Sequence, residues 1–501
     1  MKIDDIKLIR GLIKNVEQLS AFAKDADGPA IIKSSQAILL ELNRRADFEE
    51  ENTYYQRGRA LIVEASSLQK SDSQEADELN RVIDKLPALL PSNLNSLAAT
   101  EYIDKIRQCI WALFDGSNYP FIDNMPLKAL LARMIEWEQM GYKLPAANMP
   151  AVNESDRLVT VDAALLERYM RANRPGYENT KVVECTPIPG GFSKQTVLFD
   201  VGKNGKIERL VYRGTTKIQV ISDVLVDIAQ EFNAVSYAYS KGATVAEPLW
   251  LQSDIGATGT RFFISRRAPG TNLGTAIAAH KDISAAATKS LAEALAKIHC
   301  LPLDPANELL KKSELLPPNQ NMSLTDVVRL RVGNWSKFWK SLNWTPQPIM
   351  DFAFQWLYDN ASESDDEPVF VHGDYGLHNI LVHEDRVSAV LDWEACFVGD
   401  RALDISQLFS GTTDKMDREL FMKTYIAAGG KPVSQFRLKY YQALMAAQFM
   451  LSTIDAQHIY QHRAAAGTNY CTLGLGFIHH TAITVMNGIM EASAAKQATI
   501  Q

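Results

Sequence analysis

The chain has 501 residues, 46% hydrophobic and 22% charged, with a formal net charge of −7, the balance of a globular protein with about two or three domains. The negative charge and the lack of a dense basic run exclude nucleic acid as an expected partner, and no apolar run approaches the roughly 18 residues of a membrane span. Five cysteines lie far apart with no CxxC pair, which reads as free thiols in a reducing compartment. Met1-Lys2-Ile3-Asp4-Asp5 has no apolar core of a signal peptide, so the expected location is cytoplasmic.

In chain order, residues 1–150 read as an all-helical domain. Ile6, Ile9, Ile13, Val16 and Leu19 recur at spacings of three and four, and similar stripes run through 33–68, 98–114 and 126–141. Such bare stripes suit packing on the rest of the chain or a homodimer contact. Pro145, Pro150 and Asn153-Glu154-Ser155-Asp156 mark a boundary. A short helix over 161–173 then leads into strand-like runs at Lys181-Val182-Val183, Thr196-Val197-Leu198-Phe199, Leu210-Val211-Tyr212 and Phe262-Phe263-Ile264, with a turn at Lys203-Asn204-Gly205. One helix, over 222–240, interrupts them; its stripe is Val224, Ile228, Phe232, Val235 and Tyr239. Beyond Gly270 helices return. The expected fold is α+β and bilobal, a small β-rich lobe over 155–268 feeding a larger helical lobe over 269–501, as in protein kinases.

Two blocks carry the chemistry. Val371-His372-Gly373-Asp374-Tyr375-Gly376-Leu377-His378-Asn379 sets an acid five residues before an amide, and Val390-Leu391-Asp392-Trp393-Glu394 adds a second acid after an apolar strand. Phosphoryl transfer needs a carboxylate to take the proton of an attacking hydroxyl, and hard oxygen donors to hold Mg²⁺ on the nucleotide phosphates. Asp374 is the candidate base; Asn379 and Asp392 are the candidate metal ligands. Glu394 leaves two readings open, a metal or substrate contact and a solvated acid. His372 and His378 are expected to brace the loop, and Asp404 to accept backbone N–H bonds that hold it. A phosphate cradle is expected at Ile188-Pro189-Gly190-Gly191-Phe192-Ser193-Lys194, where Gly190, Gly191, Ser193 and Lys194 sit between two strands. The cation for the phosphates is Arg213, paired with Glu231 on the helix that follows.

The order of glycine hairpin, Arg213, Glu231, His372-Gly373-Asp374, Asn379 and Asp392 resembles the aminoglycoside phosphotransferase (choline-kinase-like) superfamily over roughly 160–480. Arg213 where Lys is usual, Ala389-Val390-Leu391-Asp392-Trp393-Glu394, and the Arg331/Trp335/Trp339 helix face resemble most the branch related to kinase domains fused to acyl-CoA dehydrogenases. One departure is that Ser193 is followed by Lys194, where that branch usually has Asn. The resemblance implies ATP- and Mg²⁺-dependent phosphorylation of a small-molecule hydroxyl. Its acyl-CoA branch implies hydroxyacyl-CoA thioesters or hydroxylated catabolic intermediates.

One physical discriminator bears on the acceptor. A polycationic aminoglycoside needs carboxylates, yet from Lys431 to Gln501 the acids are Asp455 and Glu491 alone, against Arg437, Lys439, Arg463, Lys496 and four histidines. That balance disfavours a polycation and tolerates an anion. An antibiotic phosphotransferase is the alternative reading; a non-catalytic nucleotide-binding scaffold is a third, which would need none of Asp374, Asn379 and Asp392. No Asp-Phe-Gly or Ala-Pro-Glu segment frames a protein-kinase activation loop.

Overall fold

The structure is a computed structural model that describes residues 56–61, 63 and 161–500, apart from 189–193, 204, 217–220, 222–223, 256–258, 277, 320, 343–347, 362–365 and 463–467, and apart from the side chains of 460–480, 483, 499 and 500. The helical domain expected over 1–150 and its homodimer contact therefore lie outside the described residues, save that 56–61 and 63 are helical. Contacts divide the chain into two compact units. One comprises Ser155–Arg331 and Ala361–Gln442; the other comprises Met1–Glu154, Val332–Asn360 and Ala443–Gln501. The stretch 269–501, expected as one helical lobe, contributes to both, because the division falls inside two long helices.

The first unit begins with helix α1 (Ala163–Asn173), capped by Asp162, whose side chain accepts the Leu165 N–H at 2.8 Å. Strands β1 (Lys181–Ile188), β2 (Lys194–Lys203) and β3 (Lys206–Thr215) follow as an antiparallel meander. Lys203 pairs with Lys206, so the β2–β3 turn has two residues, and Gly205 takes φ +74 there without a Cβ penalty. Helix α2 (Ile228–Ser240), β4 (Pro248–Gln252) and β5 (Phe262–Arg266) complete a five-stranded sheet of order β1-β2-β3-β5-β4.

Period-two alternation decides what this sheet does. Val197, Phe199, Val201, Leu210 and Tyr212 point to one face and bury against Leu166, Tyr169 and Met170 of α1. The opposite face therefore carries Lys194, Thr196 and Arg213, with Thr196 directly across from Arg213. Helix α2 starts at Ile228, later than the expected 222, because Asp227 closes a capping box. Its carboxylate accepts the N–H of Ala229 and Gln230 at 2.8 Å each, and the Gln230 side chain accepts the Asp227 N–H at 2.8 Å. Val224, assigned to the helix stripe, instead lies in the turn before it.

The remainder is mainly helical: β6 (Thr271–Asn272), α3 (Ala285–His299), α4 (Glu308–Ser313), α5 (Leu324–Ser341), α6 (Pro348–Asp359), β7 (Val369–Val371), β8 (Ile380–His383), β9 (Arg386–Val390), β10 (Phe397–Gly399), α7 (Ala402–Thr412), α8 (Arg418–Ala427), α9 (Gln435–His462) and α10 (Thr468–Ile500). The α+β plan expected from the sequence, an antiparallel sheet followed by a mainly helical part, is the one observed. The core of the helical part gathers Leu291, Leu295 and Ile298 of α3 with Phe370, Leu377, Ile380 and Trp393 from the strands and turns around the two acidic blocks. Each such fully buried aliphatic or Phe side chain contributes about 1.5–3 kcal/mol, so the loops bearing the acids are anchored at their apolar flanks.

The second unit is described by its helices. Trp339 Nε1 donates to Asp351 Oδ1 at 3.0 Å, tying α5 to α6, and Lys496 Nζ of α10 donates to Asn360 Oδ1 at 3.1 Å. Among the described residues no helix is long and apolar enough to cross a membrane, and Cys185, Cys300 and Cys396 are free thiols.

Candidate active site

Strand β7 ends at Val371, and the chain turns through His372-Gly373-Asp374 into a single 3₁₀ turn at Leu377–Asn379. Gly373 adopts φ +85, and a Cβ there would collide with the Ala395 carbonyl oxygen, so backbone conformation and space both require glycine. Asp404, in the first turn of α7, accepts the N–H groups of His372 and Gly373 at 2.8 Å each, as expected from the sequence. Asp404 is itself held by His299 Nε2 at 3.0 Å, and His299 Nδ1 lies 2.6 Å from the Tyr425 hydroxyl. Burial lowers the pKa of His299, so this chain of bonds is made by a neutral imidazole. His372 Nε2 donates to the Leu391 carbonyl at 2.9 Å, which leaves Nδ1 to accept the Asp374 N–H at 3.2 Å.

The loop delivers the Asp374 carboxylate into a nest of donors. Gln407 Nε2 reaches Oδ1 at 2.9 Å; Asn379 Nδ2 and His378 Nε2 reach Oδ2 at 2.8 and 3.2 Å. Burial pushes the Asp374 pKa up, but the hydrogen bond and charge of His378, with the bond from Asn379, outweigh it and hold the carboxyl below its ordinary value. Asp374 is thus an ionised acceptor at neutral pH. For His378, burial alone would lower the pKa, but Asp374 lifts it above the ordinary imidazole value. His378 braces the carboxylate itself and not the loop backbone, unlike His372. The sequence reading missed Gln407; its signal was the three-residue spacing from Asp404, which puts both on one face of α7.

The two acidic blocks meet through a hairpin. Strands β8 and β9 pair with Ile380 opposite Val390 and His383 opposite Arg386, leaving a two-residue turn at Glu384 and Asp385 with φ +49 and +60. The hairpin ends are then adjacent, and the Asn379 carbonyl accepts the Leu391 N–H at 2.7 Å. Asp392 follows at once, in the left-handed region with φ +64, before a 3₁₀ turn over Trp393–Ala395. With Nδ2 of Asn379 committed to Asp374, its Oδ1 is the atom left to meet a cation.

Opposite this pair, Arg213 of β3 is surrounded by carboxylates. Its Nε donates to Glu231 Oε1 at 2.7 Å; one terminal nitrogen pairs with Asp392 and lies 3.5 Å from Glu394 Oε2. Lys194 Nζ approaches the same Glu394 oxygen at 3.2 Å, with its side chain buried. Burial raises the Glu231 pKa to about 7, aided by Asp392 and Glu394 and opposed by Arg213 and Lys194. Asp392 is likewise pushed up by burial and by the Glu394 and Asp374 charges, against the pull of Arg213. Three carboxylates (Glu231, Asp392, Glu394) thus crowd around two cations (Lys194, Arg213), a crowding of acidic groups that a divalent cation would relieve, while Asp374 beside them is held by His378. Among the described residues no group of three or more His, Cys, Asp or Glu side chains is arranged to hold a metal alone. Asn379 and Asp392 would offer two hard oxygen donors, a set that suits Mg²⁺.

Of the phosphate cradle, Gly190, Gly191 and Ser193 lie outside the described residues, between β1 and β2, which pair antiparallel with Ile188 opposite Thr196. Lys194 is the first residue of β2. The cations Lys431 and Arg437, within the acid-poor Lys431–Gln501 stretch, are engaged internally. Arg437 Nε meets Asp400 Oδ2 at 3.0 Å and its terminal nitrogen meets Asp366 Oδ2 at 3.0 Å, while Lys431 pairs with Glu367 and with Asp366 at 3.4 Å. Arg437 is buried in its pairs and is not available to an acceptor anion, whereas Lys431 stays half-exposed; the paucity of acids in that stretch is unaffected.

The two cations that share Glu394 are separable by stability. Arg213→Met strands Glu231, whose side chain is 1% exposed, and is expected to lower the unfolding free energy by about 3 kcal/mol or more. Lys194→Met leaves Glu394 its contact with Arg213 and is expected to cost far less. Denaturant titrations of both variants check this; an equal or reversed ranking would make Lys194 the principal counter-charge of the cluster.

The sequence model of the phosphotransferase enzyme family, APH, matches residues 184–441. Acyl-CoA dehydrogenase family member 11 of Mus musculus is 28% identical over 260 residues, covering 49% of this chain and 31% of that protein. The Gallus gallus protein of the same name is 26% identical over 262 residues, 51% of this chain and 32% of that one. The matched region thus spans about a third of these relatives. Among solved structures, a putative aminoglycoside phosphotransferase from Ralstonia eutropha is 20% identical, covering 66% of this chain and 98% of that one, with a TM-score of 0.47.

Proposed function

The chain belongs to the APH phosphotransferase enzyme family, and from that membership we propose that it transfers the γ-phosphoryl group of ATP, with Mg²⁺, to a hydroxyl of a small acceptor, a hydroxyacyl-CoA or related hydroxylated metabolite. The observation that carries this reading is the Asp374 carboxylate, kept ionised by His378 and Asn379 and oriented by Gln407. A fixed, ionised carboxylate is suited to accept the acceptor's hydroxyl proton as the phosphoryl group moves. Asn379 and Asp392 would hold the metal, and bound Mg²⁺ supplies charge neutralisation on the phosphates. Arg213, positioned by Glu231, would lend its permanent positive charge to the same phosphates. The acceptor class is favoured by the paucity of acids from Lys431 to Gln501 and by the acyl-CoA names of the relatives.

The test is ADP release with Mg-ATP over hydroxyacyl-CoAs, hydroxy acids, plain alcohols and aminoglycosides, with Asp374→Asn as the blank. Turnover of a hydroxyacyl-CoA or hydroxy acid is expected. Turnover of aminoglycosides alone would overturn the acceptor class, and no turnover with bound nucleotide would favour the scaffold reading.

A further inference from the structure

Four arginines of the first unit are set deep in the protein, and three have obvious partners. Arg213 meets Glu231, Asp392 and Glu394; Arg401 meets Asp366 and Glu367; Arg437 meets Asp400 and Asp366. Arg331, on α5, is different. Its guanidinium carbon stands 3.4 Å from the ring centroid of Phe397, its Nε is buried without a hydrogen-bond partner, and among the described residues no carboxylate pairs with it. Tyr441, Cys396 and, least of the three, Asp404 favour its charged form, and the Asp404 oxygens are already engaged by the His372 and Gly373 N–H groups and by His299.

The location ties this cation to the catalytic loop. Phe397 pairs with Val371, the residue immediately before His372-Gly373-Asp374. Ala395, two residues ahead of Phe397, presses its carbonyl against Gly373. The residue as a whole keeps part of its surface open, although Nε has none. Burial lowers its pKa to about 10, which still leaves the group charged at neutral pH. The face of Phe397 offsets part of the cost of burying that charge. A ring face cannot satisfy the in-plane N–H donors, which are built for a carboxylate or a phosphate.

We infer that Arg331 is the anion-recognition residue of the acceptor site, pairing with a carboxylate or phosphate carried by the molecule whose hydroxyl proton Asp374 accepts. This deepens the proposed function and rests on its assignment of the acceptor. It makes an anionic group near the loop a requirement, and it turns specificity away from neutral alcohols and polycations.

The test reads binding, so that it survives a failure of turnover. Isothermal titration calorimetry on the full chain with Mg-AMP-PNP would compare 3-hydroxybutyrate, 3-hydroxybutyryl-CoA and 3-hydroxybutyryl-N-acetylcysteamine, which carry a carboxylate, phosphates and no anion, respectively. Arg331→Met is expected to weaken the carboxylate or the phosphate ligand by about tenfold or more while leaving Mg-AMP-PNP and the uncharged thioester unchanged. The ligand that loses affinity identifies the anion. Arg331→Lys, which keeps charge but loses the fork, is expected to fall between the two proteins, and it carries the test alone if Arg331→Met does not fold. Equal loss for all three ligands, no loss for any, or no anion binding by the unmodified protein would overturn the assignment. Binding that depends on Arg331 without any turnover would instead sink the proposed reaction and leave the anion site standing.

Discussion

Asp374→Asn is expected to lower kcat by about 10³-fold while leaving nucleotide affinity nearly unchanged. The carboxylate contacts Gln407, Asn379 and His378, and none of Lys194, Arg213 or Glu231, so its loss should spare the cation cluster. An amide offers one acceptor atom where three donors converge, so some local rearrangement is expected, and Asp374→Ala serves as the control for it. If both variants lose turnover equally with nucleotide binding intact, the loss belongs to the missing base. Unchanged turnover would remove Asp374 from that role. The unmodified enzyme should also show a distinctive acid limb. Because the Asp374 pKa is held below its ordinary value, activity should persist to lower pH than a free carboxylate permits and fall only as the pH drops through the depressed value. His378→Ala removes the principal support and should shift that limb upward.

Asp392→Asn is expected to abolish the Mg²⁺ dependence of nucleotide binding and to cut turnover by on the order of 10²- to 10³-fold. Asn is the informative replacement because position 392 has φ +64, a conformation Asn tolerates and Ala does not. The substitution removes a charge that now pairs with Arg213, while Glu231 and Glu394 still hold that arginine. Loss of fold is therefore not expected. Nucleotide titrations with and without Mg²⁺ provide the measurement; retained Mg²⁺ dependence would reassign the metal site away from Asp392.

The sequence alone determined whatever depends on short spacing. Asp374 and Asn379 lie on one loop, and Asp392 follows one hairpin later, so local strand and turn preferences suffice to bring them together. The strand leading to Arg213 was also legible, in the run Leu210-Val211-Tyr212. So was the pairing of Arg213 with Glu231, which the observed bond of 2.7 Å matches.

Tertiary structure decided the rest, because those contacts join groups distant in sequence, and no periodicity encodes them. Lys194 and Arg213 converge on one oxygen of Glu394 only because β2 and β3 pair in register and the 3₁₀ turn at Trp393–Ala395 faces them. His299, Asp404 and Tyr425 form one buried chain from three helices that have no local reason to meet. Arg437 looked like a cation open to an anionic ligand and proved to be spent on Asp400 and Asp366. Arg331, by contrast, belonged in the sequence to a helix stripe, and only its place over Phe397, without a carboxylate among the described residues, sets it apart. Net charge can be summed along a chain, but whether a given charge is already neutralised depends on burial and on partners that folding alone supplies.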